Sequence, residues 1–276
     1  MTTETNAGAD GYAAPARLAC WSAGVWLFLA LLGSLLCWSI VANDFALSGP
    51  VDEFISATLT RFASSNGLIN HAILTASEST LLTGGFLMGL VWFCWFADRA
   101  DHARERLMLG FAAVLIAAAL SRLLQVSMPI RLRPLLATGF RPLPGIDSAA
   151  LSHWGSFPSD HAALFFAMIA VVWQRSRWLG MLALVSALGG VLPRIFLGLH
   201  YFSDVVAGAM LGMTFVVVFE RYGPAKLAHS AVAWEQRFPA FFYGTAFLLS
   251  LEVATLFEDV RALGRGVPAV LNQFGL

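Results

Sequence analysis

The chain has 276 residues, of which 58% are hydrophobic and only 12% are charged. This composition is too apolar for a soluble domain of this length. The 17 Lys and Arg residues balance 17 Asp and Glu residues, so no basic excess favours nucleic acid as a partner. The cysteines Cys20, Cys37 and Cys94 lie in apolar runs, and their odd number and spacing predict neither a disulfide framework nor a zinc site.

The N-terminal third begins with a polar stretch, residues 1–17, that we expect to be disordered. The run Leu18–Ala42 carries no charge over 25 residues. It is too long for the core of a signal peptide and predicts a retained membrane helix. In Asn43–His71 the apolar residues recur every three or four positions, which predicts an amphipathic helix lying on the membrane interface.

Six further apolar runs complete a set of about seven predicted membrane helices by the rule of roughly 20 residues per span. They are Glu78–Ala97, Leu107–Met128, Pro158–Gln174, Trp178–Arg194, Ser203–Phe219 and Phe238–Phe257. The predicted fold is all-α, a polytopic membrane helix bundle. Residues 18–257 are expected to form one membrane-embedded domain, followed by a tail, 258–276, that could fold back on the membrane surface.

The distribution of Lys and Arg predicts the orientation of the bundle. Nine of these residues fall in loops on the face that carries the N-terminus, and eight fall on the other face. Four of the eight, Arg122, Arg131, Arg133 and Arg194, belong to the candidate site or its approach. Without them the ratio is nine to four, which predicts a cytoplasmic N-terminus and a site on the outer face.

Three short blocks at helix ends carry the candidate chemistry: Arg131–Pro134, Phe157–His161, and Arg194 with His200 and Asp204. Ionisable groups at membrane depth are costly and usually functional. His200 and Asp204 are four residues apart, so on a helix they share a face, and Asp204 could accept a hydrogen bond from the ring.

Ser159 and His161 open a helix whose N-terminal N–H groups suit a phosphate. Taken singly, each block also fits a helix cap, an interfacial histidine or a snorkelling arginine. Their occurrence together on one predicted face favours a phosphate-handling site, with Arg133 and Arg194 as cations.

These blocks resemble the type-2 phosphatidic acid phosphatase superfamily, which also contains vanadium haloperoxidases. Its pattern is Lys, six residues, Arg-Pro; then Pro-Ser-Gly-His; then Ser-Arg, five residues, His, three residues, Asp. The resemblance covers roughly Leu107–Phe219 and implies a six-helix phosphatase-type core, here with about one extra C-terminal helix. The chain departs from the pattern at three positions, which are Val126 for Lys, Asp160 for Gly and Pro193 for Ser.

The resemblance implies the residue roles. His200 attacks phosphorus and forms a phosphohistidine, Asp204 orients it, and His161 protonates the leaving group and later activates water. Arg133, Arg194 and Ser159 hold the phosphate, and Arg131 is the expected replacement for the family lysine. The resemblance implies no metal and no cofactor.

The sequence therefore predicts a bacterial inner-membrane lipid phosphatase with its site facing the periplasm. Its substrate would be a lipid phosphate such as undecaprenyl pyrophosphate, phosphatidate or phosphatidylglycerophosphate. A lipid-to-lipid phosphotransferase uses the same first half-reaction and stays open. A non-enzymatic lipid-phosphate binder or transporter is the alternative from another class. The sequence does not specify an oligomeric state.

Overall fold

The computed structural model describes residues 48–63, 67–136 and 155–258. Over these ranges the regular structure is entirely helical, which confirms the all-α prediction. Nine α-helices and a short 3-10 turn, Pro134–Leu136, are present in the described residues. The helices are α1 Gly49–Ala63, α2 Gly67–Glu78, α3 Thr80–Ala97, α4 Asp101–Ser127, α5 Asp160–Trp173, α6 Arg177–Phe196, α7 Phe202–Tyr222, α8 Ala225–Arg237 and α9 Pro239–Ala254.

The helices include several that can cross a membrane. Three of them, α4, α6 and α7, are long and apolar enough, and α2 with most of α3 forms a fourth candidate that is bent by 48°. The chain is an integral membrane protein. Two expected spans are shorter than predicted: α5 has 14 residues and α9 has 16. At 1.5 Å per residue α5 is only about 21 Å long, less than the hydrocarbon thickness of a typical bilayer.

Several sequence predictions fall outside the described residues. These are the polar segment 1–17, the first membrane helix 18–42, most of the loop before Trp154 and nearly all of the tail after 257. The single-domain assignment of residues 18–257 therefore stays a prediction.

The structure differs from the sequence prediction on both sides of the core. The expected interfacial helix is two helices, α1 and α2. The segment between α7 and α9 was expected to be a loop between two membrane spans, but it forms the amphipathic helix α8. One face of α8 buries Ala228, Val232 and Glu235, and Glu235 accepts a hydrogen bond of 3.1 Å from Arg104 on α4.

Helix α5 lies at the centre of the bundle and packs against α3, α4, α6 and α7. It is apolar on all sides, as expected for a helix surrounded by other helices, and Leu164, Phe165 and Met168 are fully buried. Its closest neighbour is α7, where Gly208 and Gly212 face the backbone of α5. Because neither glycine has a side chain, the two helices approach until backbone contacts backbone.

The antiparallel arrangement places the three sequence blocks at one end of the bundle. There α4 and α6 end while α5 and α7 begin. The opposite end is held by ion pairs, including Arg175–Glu220 at 2.6 Å. All the predicted site residues therefore belong to one end of a tightly packed four-helix core.

Candidate active site

The segment after α4 is attached to the turn between α6 and α7. The backbone N–H of Leu135 donates to the carbonyl of Gly198 at 3.0 Å. The Nη1 of Arg133 donates to the carbonyl of Leu199 at 2.7 Å. Gly198 has a φ of 69°, a left-handed conformation that favours glycine. These contacts hold the Arg133 guanidinium beside the residue that precedes His200.

The segment before α5 is attached to the first turn of α7. The backbone N–H of Ser159 donates to the carbonyl of Asp204 at 3.0 Å. Ser159 is the N-cap of α5, and its hydroxyl accepts a bond of 3.4 Å from the N–H of Ala162. Because a hydroxyl that accepts can still donate its own proton, Ser159 keeps one donor for a bound anion.

The ring of His200 is held by a backbone carbonyl. Its Nδ1 lies 2.9 Å from the carbonyl oxygen of Ser156, and the residue is only 2% exposed. A carbonyl can only accept a hydrogen bond, so Nδ1 carries the proton. In the neutral ring, Nε2 therefore carries the lone pair that a nucleophile needs.

Asp204 does not make the predicted hydrogen bond to His200. Its Oδ2 lies 3.7 Å from Nδ1 of the ring, too far for a hydrogen bond. That oxygen accepts the N–H of Tyr201 at 2.8 Å, as part of the capping of α7. The other oxygen is paired with Arg131. Asp204 therefore faces the ring without a hydrogen bond to it, and the carbonyl of Ser156 makes the contact that orients the ring.

The ring of His161 is hydrogen-bonded to the carboxylate of the preceding residue, Asp160. Its Nδ1 lies 2.9 Å from Oδ1 of Asp160, and the ring also experiences the charges of Arg194 and His200. The other oxygen of Asp160 lies 3.9 Å from the Nη1 of Arg122 on α4. The aspartate that replaces the family glycine is therefore turned toward a histidine and a cation.

Arg133 and Arg194 are cations of the site, and Arg133 is buried while Arg194 is half-buried. Nη2 of Arg194 donates to the carbonyl of Ser77 at 2.9 Å, which positions this side chain from α2. Burial lowers the pKa of the Arg133 guanidinium, and the Asp160 and Asp204 carboxylates oppose that change. An arginine remains protonated in proteins, so Arg133 is a weakly solvated cation with a strong attraction for an anion.

Two buried donors beside these residues lack a partner within the described residues. They are the Nε–H of Arg133 and the hydroxyl of Ser156. Buried polar groups in proteins almost always have a partner. Donors next to a buried guanidinium and a histidine suit the oxygens of a phosphate.

The structure does not support the prediction that Arg131 binds phosphate. Its Nη2 lies 2.7 Å from Oδ2 of Asp52, and its Nη1 is paired with Asp204. The guanidinium also stacks at 4.1 Å on the ring of Tyr201. Two carboxylates compensate its charge, so Arg131 is a support for Asp204.

Sequence reasoning missed two residues of the site, and it considered a third, Gln125, only as a substitute for the family lysine that ranked behind Arg131. Asp52 lay in a predicted surface helix, and Ser156 had no feature that distinguished it from other loop serines. Gln125 was visible as a polar residue in an apolar run. It is 2% exposed, and its side chain accepts from Arg122 at 2.8 Å and donates to the carbonyl of Pro158 at 2.7 Å.

A metal site is not evident in this part of the molecule. The described ranges contain no group of three or more His, Cys, Asp or Glu residues that could hold a metal ion. The charged groups that the structure brings together at the site are mainly guanidinium, imidazole and carboxylate.

Three curated proteins are similar to parts of this chain. Lipid A 1-diphosphate synthase of Escherichia coli is 27% identical over 140 residues, which are 48% of this chain and 56% of that protein. Bacitracin transport permease protein BcrC of Bacillus licheniformis is 40% identical over 76 residues, 27% of this chain and 37% of its own length. Lipid A 4'-phosphatase of Bacteroides thetaiotaomicron is 43% identical over 58 residues, 20% and 26% of the two chains. The similarity thus spans about half or less of each relative.

A crystal structure of a transmembrane PAP2-type phosphatidylglycerolphosphate phosphatase from Bacillus subtilis has a TM-score of 0.45 and 18% sequence identity to this chain. The alignment covers 71% of this chain and 94% of that one.

The sequence pattern of the PAP2 superfamily matches residues 106–227. This range contains most of α4, all of α5 to α7, and every residue that the three blocks contribute to the site. The match to the PAP2 superfamily therefore covers somewhat less than half of the chain.

Proposed function

We propose that this protein is a membrane lipid phosphatase that removes phosphate from a lipid phosphate or diphosphate through a phosphohistidine intermediate. The proposal depends on the nucleophile His200, the acid His161, the phosphate ligands Arg133, Arg194 and Ser159, and the charge of Asp204.

The observation that carries the proposal is the convergence of the three blocks on His200. Arg133 donates a hydrogen bond of 2.7 Å to the carbonyl of Leu199, the residue before His200. The backbone carbonyl of Ser156 accepts a hydrogen bond of 2.9 Å from Nδ1 of the His200 ring. A neutral imidazole with a free Nε2, beside buried cationic donors, matches the requirements for attack on phosphorus.

In the first half-reaction, Nε2 of His200 attacks phosphorus. The P–N bond forms while the bond from phosphorus to the leaving oxygen breaks. Arg133, Arg194 and Ser159 bind the equatorial oxygens, where charge concentrates in the transition state. His161 gives a proton to the leaving oxygen, and the lipid leaves as an alcohol or, from a diphosphate, as a monophosphate.

In the second half-reaction, water attacks the phosphohistidine. His161, now neutral, accepts a proton from that water as the P–N bond breaks. Inorganic phosphate is released, and His200 and His161 return to their starting states. The same pair of histidines therefore serves both steps with opposite roles.

The substrate would be a lipid that carries its phosphate at the outer face of the membrane. The names of two relatives refer to phosphate groups on lipid A, which supports an envelope lipid as substrate. A polyprenyl diphosphate and a phosphatidate-type lipid both fit the chemistry. The charge distribution of the loops supports a periplasmic site and a cytoplasmic N-terminus in a bacterial inner membrane.

Phosphate release by purified protein tests the activity. The parent should release phosphate from undecaprenyl pyrophosphate or from phosphatidate, and His200→Ala should lose about 10⁴-fold or more of the rate. Equal release by both proteins would exclude the proposal. During turnover, an acid-labile and base-stable phosphate should be trapped on the parent and be absent from His200→Ala.

A second candidate function is phosphoryl transfer from one lipid to another. The first relative is named as a synthase of a lipid diphosphate, and such a product requires a lipid acceptor. The transferase and the phosphatase share the first half-reaction and differ only in what attacks the phosphohistidine. Assays with and without lipid A as acceptor separate them, because a transferase yields phosphorylated acceptor in place of inorganic phosphate.

A lipid-phosphate binder or transporter is the remaining alternative, and one relative is named as a transport permease. Such a protein would bind lipid phosphate without turning it over. Binding by both the parent and His200→Ala, with no phosphate release by either, would identify it.

A further inference from the structure

Helix α1 inserts one carboxylate into the candidate site although much of the helix is exposed. Asp52 is 1% exposed, whereas its neighbours Val51 and Phe54 are 52% and 72% exposed. Burying a carboxylate is costly unless it is paired and hydrogen-bonded. Asp52 also lies outside the 106–227 match to the PAP2 superfamily.

The Asp52 carboxylate accepts three hydrogen bonds from the nucleophile side of the site. Its Oδ1 accepts the backbone N–H of Ser203 at 3.0 Å. Its Oδ2 accepts the hydroxyl of Ser203 at 2.6 Å and the Nη2 of Arg131 at 2.7 Å. Ser203 directly precedes Asp204 in the first turn of α7, so α1 is attached to the start of that helix.

Arg131 continues this connection to Asp204. Its Nη1 donates to the hydroxyl of Ser203 at 2.8 Å and pairs with Oδ1 of Asp204. Its backbone carbonyl accepts the N–H of Ser156 at 3.0 Å, and Ser156 binds the ring of His200. Arg131 therefore supports both groups that contact or face the nucleophile.

We propose that Asp52 and Arg131 are positioning residues for His200, and that α1 is part of the active site. Asp52 fixes the guanidinium of Arg131, and Arg131 fixes the carboxylate of Asp204 at 3.7 Å from the ring. This inference rests on the proposed role of His200 as nucleophile. It assigns a catalytic consequence to a helix that the sequence pattern of the superfamily does not include.

The arrangement also sets the charge near the nucleophile. Asp52, Arg131 and Asp204 together carry a net charge of about −1. Asp52→Asn makes this group neutral, and Arg131→Gln makes it more negative by one unit. The other charged groups near His200 are the same in both variants. Asp160 and His161 on α5 interact electrostatically with His200, and Arg194 on α6 and Arg133 after α4 interact in turn with Asp160.

The two variants should therefore shift the pH–rate profile in opposite directions. The nucleophile must be neutral, and positive surroundings disfavour the imidazolium. In Asp52→Asn the acid limb of kcat/KM should move to lower pH, and in Arg131→Gln to higher pH, by about half a unit each. Variants that only weaken the fold would not shift the limb in opposite directions.

The experiment uses the full chain in one detergent and measures phosphate release from a diphosphate lipid across pH. Asp52→Asn should lower kcat about 10- to 100-fold with KM changed by less than about threefold, because misplaced catalytic groups act on the transition state. Glu53→Gln is the matched control, since Glu53 is the exposed carboxylate next along α1. It should stay within about twofold of the parent.

His200→Ala, measured in parallel, separates this inference from the proposed function. Full activity in His200→Ala would exclude the proposed function itself. The positioning role would be excluded if His200→Ala lost activity while Asp52→Asn and Arg131→Gln matched Glu53→Gln. The comparison covers both kcat and the pH of the acid limb of kcat/KM. Limbs that move in the same direction would also exclude it. Partial unfolding of a variant scales the whole profile without moving its limb, so the limb position remains decisive.

Discussion

Nδ1 of His200 lies 2.9 Å from the carbonyl oxygen of Ser156. A backbone carbonyl, and not a side chain, therefore fixes the tautomer of the proposed nucleophile. The nearest oxygen of Asp204 is 3.7 Å away. The orientation of the ring and the charge that stabilises it thus come from two different residues.

Asp204→Asn should consequently leave measurable activity. The ring keeps its hydrogen bond to the Ser156 carbonyl. The losses are the charge that stabilises the developing imidazolium and the ion pair of Asp204 with Arg131. We expect kcat to fall about 10- to 100-fold, against about 10⁴-fold or more for His200→Ala. Single-turnover phosphate release by the two variants provides the comparison. Equal losses would mean that Asp204 also sets the tautomer.

Asp160→Asn should affect poor leaving groups more than good ones. Asp160 accepts from Nδ1 of His161 and so favours the protonated ring that the leaving-group acid needs. We expect a loss of about tenfold or more with phosphatidate, whose leaving group is an alkoxide, and less than about threefold with undecaprenyl pyrophosphate. Phosphate-release rates of the parent, Asp160→Asn and the control Glu53→Gln are measured with both lipids. The loss with phosphatidate is then divided by the loss with undecaprenyl pyrophosphate. The same loss on both lipids would argue against a role for Asp160 in leaving-group protonation.

Gly208→Ala should destabilise the core and the site together. A Cβ on Gly208 would overlap the carbonyl oxygen of Ser159 and lie 3.1 Å from the N of Ala163, so α5 and α7 would have to separate. The expected cost is about 2 kcal/mol or more in the free energy of unfolding. Thermal unfolding in detergent measures it.

The matched control for that substitution is Gly189→Ala. Nothing lies within 4 Å of a Cβ at Gly189 in α6, so alanine there should be neutral or stabilise by up to about 1 kcal/mol through helix propensity. If Gly208→Ala unfolded at the same temperature as Gly189→Ala, the close approach of α5 and α7 would be wrong.

Glu220→Gln should lower stability while sparing the chemistry. Both oxygens of Glu220 contact Nη1 of Arg175, at 2.6 and 2.8 Å, and its side chain is 1% exposed. The neutral amide would leave a largely buried guanidinium without its counterion, at a cost of about 2–4 kcal/mol. Glu220 is about 24 Å along α7 from Asp204 at 1.5 Å per residue, so kcat of the folded fraction should not change.

Arg106→Gln serves as the control at the same end of the bundle. Its guanidinium lies 3.9 Å from Glu220 but its side chain is 60% exposed, and exposed ion pairs contribute less than about 1 kcal/mol. A loss of stability as large as that of Glu220→Gln, or a large change in kcat for either variant, would contradict this assignment.

The helices of the core, and the end of the bundle at which the candidate residues lie, could be predicted from the sequence. Hydropathy, proline and the Ser159 cap are local signals, and they predicted α3, α5 to α7 and α9 to within about three residues. Helix α4 begins at Asp101, six residues before its predicted start at Leu107. Four site residues lie near predicted helix ends, which placed them at the same end of the bundle. They are Arg133, His161, Arg194 and His200. Periodicity and end signals suffice for this because a helix is formed by neighbours in sequence.

The contacts of each polar group could not be predicted from the sequence, because they depend on the fold. Arg131 was expected at phosphate, but it pairs with Asp52, 79 residues away. Asp52 in turn binds Ser203, 151 residues away. Helix α8 and the shortness of α5 also depend on neighbours that are distant in the chain. A buried charge takes the partner that the folded packing brings to it, and the free energy of that pairing depends on distances that no local pattern encodes.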